Sequence, residues 1–87
     1  QYLDDVNETV RFHAVQTTFE QGDPASVGAL VAMLRGEESV RVMNKVADGI
    51  LCKGWKVPEE LREAYRAATT DVYEYRMTAS GNVEKVS

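Results

Sequence analysis

At 87 residues the chain has material for one small domain at most. Hydrophobic residues make up 44% and charged residues 28%, a globular rather than a disordered balance. Ten Lys+Arg against fourteen Asp+Glu leave a net charge of -4, which argues against a broad nucleic-acid or anionic-membrane surface. The apolar runs are only a few residues long, too short for a bilayer-spanning helix. Cys52 is the only cysteine, so an internal disulfide and a multi-cysteine metal site are excluded. The chain opens on Gln1 rather than Met and carries no basic segment followed by an apolar one. We expect a piece of a longer, cytoplasmic protein.

Asp5 and Glu8 have the spacing of a capping box, and nothing breaks a helix from Glu8 to Gln21. Gly22 is a natural stop. Asp23-Pro24 restarts a helix at once, because Asp accepts from unpaired N–H groups and Pro is tolerated at the first helical position. That second helix should run to about Arg35, with Val27, Leu30, Val31 and Leu34 in one stripe. Ser39 caps a third helix after the acids Glu37 and Glu38. Its stripe is Val40, Met43, Ala47, Ile50 and Leu51, with Val42 and Val46 as a second apolar flank. Gly49 inside it points to a close helix approach, and Gly54 ends it. Pro58-Glu59-Glu60 opens a fourth helix with Leu61, Ala64, Tyr65 and Ala68 on one face, and Thr69-Thr70-Asp71 closes it. From Val72 the period changes to two: Tyr73, Tyr75 and Met77 alternate with Glu74 and Arg76. Ala79 to Asn82 reads as a turn, and residues 83–86 as a short returning strand. A lone hairpin is marginal in water, so this one should lie on the last helices.

The chain is weakly self-similar. Val10-Arg11 returns as Val40-Arg41, Pro24 as Pro58 and Val27 as Leu61. Helix, short turn, helix, repeated, is the content of a helical solenoid. Val10-Arg11, Ala14, Gly22-Asp23-Pro24-Ala25, Val27, Ala29-Leu30 and Leu34 resemble a HEAT-like repeat of the short bacterial type, as in phycobilisome-lyase-like proteins. Glu38-Ser39-Val40-Arg41 opens a second, degenerate copy in which Gly54-Trp55-Lys56-Val57-Pro58 replaces Gly-Asp-Pro. The likeness covers roughly residues 5–68. It implies an all-α, right-handed αα-solenoid of two HEAT-like helix pairs over about 5–70, with the hairpin over about 72–86 as a terminal cap. It also implies a non-catalytic protein-interaction or scaffold module. In such a module the stacked second helices offer a groove to a partner helix or extended peptide.

Individual side chains fit that expectation. His13 is the only histidine, and Thr9, Gln16 and Thr17 at its helical neighbours are poor metal partners. Cys52, beside Ile50 and Leu51, reads as a buried small apolar residue, with Lys53 next to it able to lower its pKa were it exposed. Arg11 and Arg41 hold equivalent places in the two units and should form an ion-pair ladder with Asp5, Asp23 or Glu38; left unpaired, they would make a binding stripe. Trp55 with Lys45, Lys53 and Lys56 is the nearest thing to a basic-aromatic patch, although a Trp that plugs a helix junction is the simpler reading. Glu59, Glu60 and Glu63 suit a helix N-terminus better than acid–base work. No phosphate-loop, dinucleotide, zinc-protease or nucleophile-elbow motif occurs, so neither catalysis nor a cofactor is expected.

The expected contacts with a protein partner are therefore Trp55, Tyr73 and Tyr75. Two other functions stay open. An accessory domain of a bilin-lyase-like cofactor-attachment enzyme would need Cys52 or His13 in a deep apolar pocket. A self-association module would need an uncovered hairpin edge.

Overall fold

A computed structural model describes residues 7–86. Over that span the chain forms four helices, α1 (Glu8–Gln21), α2 (Val27–Leu34), α3 (Val40–Lys53) and α4 (Glu59–Ala68), then strands β1 (Tyr75–Met77) and β2 (Val83–Lys85). The molecule is mostly helical, with one small antiparallel sheet at its C-terminal end. None of these helices is long and apolar enough to cross a membrane.

Local chemistry sets the helix ends. Asn7 caps α1, its side-chain oxygen accepting from the N–H groups of Thr9 and Val10. Asp5, expected in that role, lies outside the described residues. Gly22 and Gly54 close α1 and α3 in the left-handed region, at φ 72° and 69°, where a Cβ is strained. Asp23 and Pro24 do restart a helix, but as a single 3-10 turn, Pro24–Ser26, that hands over to α2 at Val27. Ser39 caps α3 by accepting from the Val42 N–H. Pro58 precedes α4, and Glu59 and Glu60 place carboxylates in its first turn, where the helix dipole favours them.

The helices pack as two layers. α1 lies along α3, and α2 lies along α4. Val15, Leu30, Leu34, Val42, Val46 and Ile50 are fully buried in the single core between them. Gly49 is what lets α1 and α3 close: a Cβ there would collide with the Phe19 ring. Trp55 then covers that ring from the α3–α4 connection, with centroids 5.3 Å apart.

The hairpin lies on α3. Its register pairs Tyr75 with Lys85, Arg76 with Glu84 and Met77 with Val83. The α3–α4 connection pairs with the other side of β2 through a bridge from Lys56 to Asn82, and the Val57 N–H donates to the Gly81 carbonyl. Arg62 of α4 locks this corner. Its guanidinium donates to the carbonyls of Val57 (2.9 Å), Ala79 (3.2 Å) and Ser80 (2.9 Å). Gly81 leaves room for it, since a Cβ there would meet both the Val57 carbonyl and Arg62.

Candidate functional site

The two arginines of the repeated Val-Arg pairs are both claimed by acids, Glu37 and Glu8, neither among the partners expected from the sequence; Asp5, one of those expected, lies outside the described residues. Arg11 of α1 makes a bidentate pair with Glu37, both contacts at 2.8 Å. Glu37 also accepts from the Ser39 N–H at 2.9 Å, and its side chain is only 1% exposed. Burial pushes its carboxyl up, and the Arg11 guanidinium and the Ser39 N–H outweigh that, so its pKa ends below the ordinary value. Arg41 of α3 pairs instead with Glu8 of α1, at 2.9 Å. Glu8 also accepts from the Ser39 hydroxyl at 2.6 Å. Arg41 and that hydroxyl hold the Glu8 carboxyl down to about 2. Ser39 thus ties both pairs into one network joining α1 to the start of α3. Asp23 is used elsewhere, accepting from the Ala25 N–H.

The expected contact residues do not form one patch. Trp55 is half-buried on Phe19. Tyr75 is half-buried, and its hydroxyl donates to Asp48 Oδ1 at 3.0 Å. Burial and that bond both raise its pKa. Tyr73 alone is open to solvent, at 79% exposure. The lysines also part company: Lys45 sits over the Phe12 ring beside Arg41, whereas Lys56 serves the bridge to Asn82.

Cys52 is exposed, contrary to the buried thiol expected. Each residue turns a helix by about 100°. Although Ile50 and Leu51 precede it in sequence, Cys52 falls on the side of Asp48, with Sγ 3.8 Å from Asp48 Oδ1. It lines an open groove of about 260 Å³ between α1 and α3, with Phe19 and Gly49 as its floor and Lys45, Lys53 and Glu20 among its walls. His13 is exposed on α1, with its ring edge-on to Phe12. Among the described residues, no group of three or more His, Cys, Asp or Glu side chains is placed to hold a metal ion.

The larger concavity, about 440 Å³, lies in the other layer. Arg35, just past α2, forms one wall, and Glu63, Ala64, Ala67 and Ala68 of α4 form the rest. Ala64 and Ala68 are half-buried and pack against the core beside Leu61 and Tyr65, while Ala67 is exposed, so the three alanines make a low apolar floor at the edge of that face. The floor is bounded by a cation on one element and a carboxylate on the other. The sequence places Ala64 and Ala68 on one face of this helix and reads Glu63 only as part of an acidic cluster at its N-terminus, with no role for Ala67 or Arg35. The i, i+3, i+4 spacing of the three alanines was the available signal.

Compared with protein-family models, curated proteins and solved structures, the chain matches none.

Proposed function

We propose that the chain is a non-catalytic protein-interaction module, built as a short αα-solenoid of two HEAT-like helix pairs with the hairpin as a cap. The layering supports the solenoid: first helices stack on first helices and second on second, as repeated pairs must to bury their apolar faces. The repeated Val-Arg positions support it too, because Arg11 and Arg41 each reach an acid in the other unit.

The observation that carries the interaction reading is the concavity on the second-helix layer. Small side chains let a partner's backbone come close, and the opposed charges of Arg35 and Glu63 orient it. An apolar helix face or extended peptide with one acidic and one basic flank fits that floor. A cofactor-attachment role draws less support, because the groove at Cys52 is open rather than deep.

The test is a peptide selection on the native chain, followed by affinity measurements on two variants. Ala67→Glu adds bulk and charge to the floor at an exposed helical position. Lys53→Glu changes the α1–α3 groove instead. We expect Ala67→Glu to weaken selected peptides by about tenfold or more and Lys53→Glu to leave them unchanged. Equal effects, or an effect of Lys53→Glu alone, would sink the assignment of this face.

A further inference from the structure

We propose that β1 is an interface for a second copy of this chain, joined antiparallel about a two-fold axis at Tyr75. This rests on reading the chain as an interaction module, and it names one partner and one surface for it.

Hydrogen-bond phase supplies the first observation. The Thr78 N–H donates to the Asn82 carbonyl, and the Val86 N–H donates to the Glu74 carbonyl. With the register Arg76 to Glu84, the backbone groups of residues 74, 76 and 78 therefore face β2. Those of Tyr75 and Met77 face the other way. β2 is flanked on its far side by the bridge at Lys56, but among the described residues no strand or bridge pairs with the outer edge of β1. Such an edge is a template for another strand.

Charge complementarity supplies the second, and it selects both partner and register. Reading Tyr73-Glu74-Tyr75-Arg76-Met77 outward from Tyr75 gives an acid on one side and a base on the other. An antiparallel copy centred on Tyr75 sets Glu74 opposite Arg76 twice over. Its outward N–H and C=O exchange two bonds with the same groups of the second copy. Centring on Arg76 would set guanidinium against guanidinium, and centring on Glu74 carboxylate against carboxylate, both unfavourable. In the favoured register Arg76 lies between Glu84 of its own hairpin, 3.5 Å away, and Glu74 of the second copy. Met77 comes opposite Tyr73, the most exposed large apolar side chain among the described residues at 79%. The result is a four-stranded sheet, β2-β1-β1-β2.

Light scattering on a sizing column, over a concentration series of the whole chain, tests this with three variants. Circular dichroism confirms that each is folded. The native chain should move from 9.7 kDa towards twice that mass as concentration rises. Glu74→Arg and Arg76→Glu alone each create two like-charge pairs, and each should raise the dissociation constant by about tenfold or more. The double variant restores both pairs with the signs exchanged and should recover affinity to within about threefold of the native chain. A chain that stays monomeric up to about 1 mM overturns the proposal. So does a dimer indifferent to both single changes. Either result leaves peptide binding at the Ala67 face intact, so the two ideas fail separately.

Discussion

Arg11 and Arg41 stand at equivalent places in two similar helices, yet their partners differ in access to water. The Glu37 side chain is 1% exposed and that of Glu8 40% exposed. Removing Arg11 strands a buried carboxylate, whereas removing Arg41 strands one that water can solvate. Arg11→Ala should therefore lower the melting temperature clearly more than Arg41→Ala, and equal losses would contradict the burial argument. The same pairs set an acid limit. Both carboxyls have folded-state pKa values below the ordinary 4.5, with Glu8 at about 2. As pH falls, the unfolded chain takes up these protons first. The stabilisation is complete above about pH 5 and is lost as pH falls towards 2. Thermal melts over that range should fall steadily, and Glu37→Gln should flatten the curve; an unchanged slope would show that Glu37 is not linked to folding. Sequence order did not reveal these partners. Glu37 and Glu8 become neighbours of the arginines only when the α2–α3 turn folds back on the start of α1. The exposure of Cys52 was hidden for a similar reason, since its apolar neighbours in sequence lie on other sides of the helix.

Among the elements, the helices were the most legible. Their ends are written in residues with one clear role: Gly22 and Gly54 for the left-handed stop, Ser39 for the cap, Pro58 ahead of α4. The glycine at 49 was also readable as a close approach, though not that the Phe19 ring fills the space. The hairpin was visible in its period of two, but its anchor was not. Arg62 sits in an ordinary helical run, and nothing in that run foretells three carbonyl partners in two separate segments. Arg62→Ala frees those carbonyls and should cost about 2 kcal/mol. Hydrogen exchange gives a sharper reading. The Val57 N–H and the hairpin amides should lose protection together, while those of α1 and α3 keep theirs. Uniform loss across the chain would mean that the hairpin is part of the main cooperative unit rather than a cap held on at one corner.

For the whole molecule, two helical layers share one core and place different surfaces on opposite sides. The first layer carries the ion-pair network, Phe12 with its two cations, and the open groove beside Cys52. The second carries the alanine floor between Arg35 and Glu63. The repeat pattern in the sequence pointed to second helices as the binding layer. It did not show which residues line the floor, because that depends on where Arg35 ends up relative to α4. The most direct measurement is amide chemical-shift mapping of the native chain with a selected peptide. Changes concentrated at Arg35, Glu63, Ala64, Ala67 and Ala68 are the predicted result. Changes centred on Phe19, Lys45 and Cys52, or spread without a focus, would contradict the assignment of the second-helix layer as the interaction face.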